Sequence, residues 1–101
     1  MVYVILSSWP PQQSMEAGKI AMGLPPVPDY IKRKMLLCGE LGLGTKCFDI
    51  YEFDVSKYQE ALDYLNLRIA AFLSLPGFTY ELRRWYDEEE IMNFMAKYMS
   101  K

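Results

Sequence analysis

Val2-Tyr3-Val4-Ile5-Leu6 is an unbroken apolar run of strand-forming residues, and it predicts a strand covered on both faces. Ser7-Ser8-Trp9-Pro10-Pro11 ends the run. Pro11 suits the first turn of a helix, where its missing N–H costs nothing. Met15, Ala17, Gly18, Ala21 and Met22 form the apolar and small stripe of that helix, which runs to about Met22 and stops at Gly23. Gly18 and Ala21 predict a close approach of this helix to the sheet. Pro25-Pro26-Val27-Pro28 is a stiff extended link, and residues 29–34 have room for a helical turn.

Two further strands follow, Met35 to Leu41 and Thr45 to Phe53, joined through Gly42 and Gly44. A two-residue turn at Gly42-Leu43 puts Cys38 opposite Cys47. A three-residue turn with Gly44 left-handed puts Cys38 opposite Phe48. Ser56-Lys57-Tyr58-Gln59 has the form of a capping box. The helix behind it carries Tyr58, Ala61, Leu62, Leu65, Ile69, Phe72 and Leu73 on one stripe, and Leu75-Pro76-Gly77 ends it. Phe78 to Trp85 reads as a fourth strand. Asp87-Glu88-Glu89-Glu90 opens a last helix with Ile91, Phe94, Met95 and Tyr98 as its expected buried stripe.

The order βαββαβ, with two right-handed crossovers, places both long helices on one face of a four-stranded antiparallel sheet in the order 4-1-3-2. This is a ferredoxin-like α+β arrangement, and it occupies residues 1–101 as a single domain with a short C-terminal helix. The opposite sheet face is then open. Alternation assigns Phe78, Tyr80 and Leu82 to the helix side of the fourth strand, with Thr79, Glu81, Arg83 and Trp85 on the open side. In the third strand Phe48 and Ile50 suit the helices, leaving Cys47, Asp49, Tyr51 and Phe53 on the open face. Burying the apolar part of that face at about 25 cal/mol per Å² is worth many kcal/mol before association costs. A symmetric homodimer packed sheet to sheet is therefore expected, with a cavity between the sheets.

Composition narrows the function. The chain has 101 residues, is 51% hydrophobic and 15% aromatic, and carries a formal charge of −2. Lys32-Arg33-Lys34 and Arg83-Arg84 are its basic clusters, too short for a nucleic-acid footprint. No run approaches the ~20 apolar residues of a membrane span, and Val2 to Leu6 is too short for a signal-peptide core. A cytoplasmic location is expected, with Cys38 and Cys47 as reduced thiols. The sequence contains no histidine. This removes histidine acid–base catalysis, histidine-ligated haem and the common histidine zinc sites, so neither cofactor nor metal is expected.

Ser8-Trp9 before the first helix, Ile50-Tyr51-Glu52 in the third strand and Pro76-Gly77-Phe78-Thr79-Tyr80-Glu81 into the fourth resemble the dimeric α+β barrel proteins. More narrowly, these stretches are similar to a group of small prokaryotic proteins of unknown function. The resemblance covers most of the chain and implies sheet-to-sheet pairing of ferredoxin-like subunits. The superfamily holds monooxygenases, isomerases, haem proteins and ligand binders, and none of their catalytic motifs can be placed here residue by residue.

Gly39 to Lys46 superficially matches a phosphate loop, but Thr45 precedes Lys46 and the segment joins two strands, so a hairpin turn is the better reading. Cys38 and Cys47 lack redox or zinc spacing and read as free thiols. Asp49, Glu81 and Arg83 are the charged set of most interest. In a closed cavity Arg83 can hold an anion, a desolvated Asp49 can act as a base, and Tyr51 and Tyr3 can orient a polar group. The competing reading is an ion pair that sets register at a dimer seam. Trp9 and Trp85 are expected far apart, each a local lid. The residues leave two functions open: a small-molecule-binding homo-oligomer, with or without cofactor-free catalysis, and a structural or interaction module. Met92, Met95 and Met99 supply adaptable contact area for the second.

Overall fold

The computed structural model describes residues 1–40 and 44–99. β1 (Val2–Trp9) leads through a 3₁₀ turn, with Pro11 in its first turn, into α1 (Ser14–Met22). β2 (Ile31–Glu40) and β3 (Gly44–Phe53) form a hairpin, followed by α2 (Tyr58–Phe72), β4 (Thr79–Trp85) and α3 (Glu88–Met99). All strand pairs are antiparallel, and the order is β2-β3-β1-β4. Counted from the other edge, the same sheet reads β4-β1-β3-β2.

Residues directly opposite in an antiparallel ladder share a face. Ile5 stands opposite both Asp49 and Leu82, and Tyr51 stands opposite both Tyr3 and Arg33. The core joins Ile5, Ile31, Tyr51 and Phe53 of the sheet to Ala61, Tyr64, Leu65 and Ile69 of α2, with Leu82 packed against it. Tyr51 and Leu65 are fully buried. The helix side of β3 is therefore Cys47, Asp49, Tyr51 and Phe53. This reverses the assignment of that strand from the sequence. The Tyr51 and Phe53 rings fill the space under α2, while Phe48, Ile50 and Glu52 occupy the open face. For β4 the alternation holds, with Leu82 toward the core and Glu81 and Arg83 opposite Leu6 and Val4 on the open side.

Other local expectations change. Residues 31–34 are strand, not helical turn, because Ile31 pairs with Phe53 and extends the hairpin by two rungs beyond Arg33. Cys38 stands opposite Lys46, matching neither hairpin alternative. The connecting residues 41–43, on which those alternatives rest, lie outside the described residues. Gly44 is left-handed with φ 90°, and a Cβ there would sit 2.3 Å from the Trp9 carbonyl oxygen, so glycine closes this end of the sheet. The Ser56–Gln59 capping box does not form. Asp54 accepts from the Ser56 N–H at 2.9 Å instead, and Gln59 donates to Asp63. Asp87 and Glu90 do form a reciprocal cap at the start of α3.

The expected stripe of α3 is not buried. Phe94 and Tyr98 stack on each other at 5.9 Å but remain exposed, as do Ile91 and Met95. An Arg84–Glu90 ion pair ties the helix to the end of β4. The radius of gyration is 16.1 Å, against about 13 Å for a compact chain of this length, and the longest extent of 54 Å reflects this arm. Among the described residues no helix is long and apolar enough to cross a membrane.

Candidate functional site

Side chains alternate along β3, so burying Tyr51 and Phe53 also turns Asp49 and Cys47 inward. Asp49 is 6% exposed, and a carboxylate at that depth needs partners. β2 provides one. Arg33 donates from Nε to Asp49 Oδ1 at 2.8 Å and from a terminal nitrogen to Oδ2 at 3.0 Å, a two-bond fork. Tyr51, two residues along, donates its hydroxyl to the same Oδ2 at 2.5 Å. Three hydrogen bonds thus hold one carboxylate. The Arg33 guanidinium also lies 5.8 Å from the centre of the Tyr51 ring.

Burial and close charge hold the protons on Tyr51, Arg33 and Cys47. Burial first, then the neighbouring Asp49 charge and hydrogen bond, hold the Tyr51 proton far above the ordinary tyrosine range. Burial opposes the Arg33 charge, but the Asp49 carboxylate outweighs it and raises the guanidinium further. Burial, reinforced by Asp49, also pushes the Cys47 thiol up. Tyr51 and Cys47 are therefore neutral near neutral pH, and the Arg33–Asp49 pair has no net charge.

These groups form one wall of a cavity of about 410 Å³ between the sheet and the two helices. Its sheet floor includes Ile5, Ser7, Cys47, Asp49 and Tyr51, with Arg33, Met35 and Leu37 from β2. The α2 side is Arg68, Ile69 and Phe72. The α1 side is Ser14, Ala17, Gly18 and Ala21, a spacing of three and four that defines one helix face. Gly18 and Ala21 do not bring α1 onto the sheet as the sequence suggests. A Cβ on Gly18 would meet nothing within 4 Å, and the helix stands off to leave the cavity. Trp9 and Phe78 close one end, in a stacked series with Phe72 at 6.4 and 5.5 Å.

The five site residues expected from the sequence divide between the two faces. Asp49 and Tyr51 meet in the cavity. Tyr3 is on the same side but outside the cavity, stacked on Phe53 at 5.8 Å. Glu81 and Arg83 pair with each other on the open face, largely in solvent, and do not join the site. Asp49 and Tyr51 thus line a cavity inside the subunit, on the face opposite the one expected to pair with a second sheet. Arg33, Arg68, Cys47 and Trp9 were not singled out for it. For Arg33 the signal is parity: once Ile31 is strand, Arg33, Met35 and Leu37 share its face.

No family model, curated protein or solved structure matches the chain.

The open face carries Val4, Leu6, Phe48, Ile50, Leu36 and Trp85. Phe48 and Trp85 meet edge to face at 6.5 Å, and Leu36 and Trp85 are about half exposed, at 52% and 47%. Trp9 and Trp85 lie toward opposite ends of β1, since Val2 pairs with Trp85.

Proposed function

We propose that this chain is a small-molecule-binding domain of the ferredoxin-like type, holding its ligand between sheet and helices, and that it works as a homo-oligomer. One observation carries the reading. A charged cluster, Arg33–Asp49–Tyr51, is joined by three internal hydrogen bonds and faces a mostly apolar cavity of about 410 Å³. Pockets of this size with a few fixed polar groups on an apolar lining are the usual form of small-ligand sites. Because Tyr51 holds its proton and Asp49 is committed to Arg33, binding rather than acid–base catalysis suits the cluster best.

The oligomer part of the reading rests on the open face and on α3. Leu36, Phe48 and Trp85 on the sheet, with Phe94, Met95 and Tyr98 on the arm, are apolar area that a second copy would cover. This is the pairing that the likeness to dimeric α+β barrel proteins implies. The same area supports the alternative of a purely structural module. The reading also includes a cytoplasmic location, favoured by the unpaired Cys38 and Cys47, and no nucleic-acid partner.

Native mass spectrometry tests both parts together, with octanoate, 1-octanol and octylammonium as probes. The expected result is a dimer or larger assembly that takes up at least one of these compounds, one per chain. Gly18→Phe adds a ring to the α1 edge of the cavity and should weaken uptake by roughly tenfold or more without lowering the melting temperature, since it also removes a helical glycine. A chain that takes up none of the probes, or a Gly18→Phe variant that binds as well as the parent, contradicts the ligand reading. An oligomer without uptake selects the structural alternative.

A further inference from the structure

The charged groups of the cavity do not balance. Arg33, Asp49 and Arg68 are its charged side chains among the described residues. Arg33 is spent on Asp49 through two hydrogen bonds. Arg68 has no such partner. It donates to the Tyr64 hydroxyl at 3.3 Å and lies 5.9 Å from that ring, and among the described residues it meets no carboxylate. The Tyr64 hydroxyl in turn donates to the Pro25 carbonyl at 3.0 Å, so it offers Arg68 a lone pair but no charge. A guanidinium has five N–H donors, and most of those on Arg68 remain for another acceptor. The same cavity offers hydrocarbon from Ile69, Phe72 and Ala17.

A neutral apolar molecule would leave the Arg68 charge without a counter-ion in the cavity, and a cation would add to the uncompensated charge. We infer that the cavity selects an apolar carboxylate, with its anionic head on the Arg68 guanidinium and its hydrocarbon body along Ile69, Phe72 and Ala17. This rests on the ligand reading above and specifies its chemistry. One carboxylate matches one uncommitted guanidinium in charge and in planar two-bond geometry. The partly enclosed setting strengthens the attraction relative to water.

The experiment compares probes that share one chain and differ at the head. Octanoate, 1-octanol and octylammonium are titrated into the Trp85→Phe protein, in which Trp9 is the remaining tryptophan and reports on the cavity. Octanoate should bind roughly tenfold or more tightly than 1-octanol, and octylammonium more weakly than either. Arg68→Gln should remove the octanoate advantage and leave 1-octanol within about threefold, while Arg68→Lys retains part of the advantage. Equal binding of octanoate and 1-octanol to the parent overturns the anion assignment, as does a preference that survives in Arg68→Gln. Should Arg68→Gln melt well below the parent, the Arg68→Lys variant and the octanoate-to-octanol ratio of the parent still decide. If neither octanoate nor 1-octanol binds, the ligand reading itself fails, which is a different result from binding without preference.

Discussion

Replacing Asp49 with alanine should cost about 3 kcal/mol of stability, which for a chain of this length lowers the melting temperature by roughly 12–24 °C. The loss is not that of one salt bridge. It strands the Arg33 guanidinium, whose side chain is 22% exposed, and leaves the fully buried Tyr51 hydroxyl without an acceptor. Breaking a buried pair from one side is more damaging than its net contribution suggests, because the remaining charge stays desolvated. The partial exposure of Arg33 holds the figure to the lower end of the usual range. Glu81→Ala provides the contrast. Its partner Arg83 is 70% exposed, and removing a solvent-screened pair should change stability by less than about 0.5 kcal/mol. Thermal melts of the two variants are the measurement. An Asp49→Ala protein that melts within a few degrees of the parent would mean that the carboxylate is not buried among these donors.

Tyr51 should make the protein lose stability steeply in alkali. Its proton is held far above the ordinary tyrosine range in the folded state, through burial and the adjacent Asp49 charge, whereas the unfolded chain releases it near pH 10. A group whose folded value is raised contributes its full stability below the unfolded value and loses it as pH climbs beyond. Above about pH 10, Tyr51 therefore removes close to 1.4 kcal/mol for each pH unit. Cys47, raised for the same reasons, begins to act nearer pH 9. In Tyr51→Phe there is no phenol to ionise. That variant starts less stable near neutrality, because Asp49 loses a donor, but its decline between about pH 10 and pH 11 should be shallower by about one proton's worth of slope. Urea midpoints across that interval measure the difference, and Tyr3 titrates in both proteins and cancels. Parallel slopes would show that the Tyr51 hydroxyl is not held in a desolvated site.

How much of this was legible in the sequence follows from what each feature depends on. The α2 stripe of Ala61, Leu65 and Ile69 was readable because helical periodicity is local, and those residues do enter the core. The first strand and the cap of Asp87 with Glu90 were readable for the same reason. The facing of β3 was not. Both of its alternating sets contain large apolar residues, so alternation alone does not say which set meets the helices. What keeps Asp49 dry is Arg33, sixteen residues earlier on a neighbouring strand, and that pairing exists only once the hairpin register is set. The register itself differed from both turn alternatives. One inverted strand was enough to move Asp49 and Tyr51 from an expected dimer cavity to one inside the subunit, while Glu81 and Arg83 stayed outside. The α3 stripe failed differently. Its amphipathic pattern is real, but periodicity specifies a face and not the partner that covers it.

A crystal structure under xenon pressure tests most directly whether the space beneath the helices exists to hold a small molecule. Xenon should settle among Ala17, Ile69 and Phe72, with Arg33, Asp49 and Tyr51 still joined at the neighbouring wall. An α1 helix resting directly on β3, with Ala17 and Gly18 against Cys47 and no xenon between them, would contradict it.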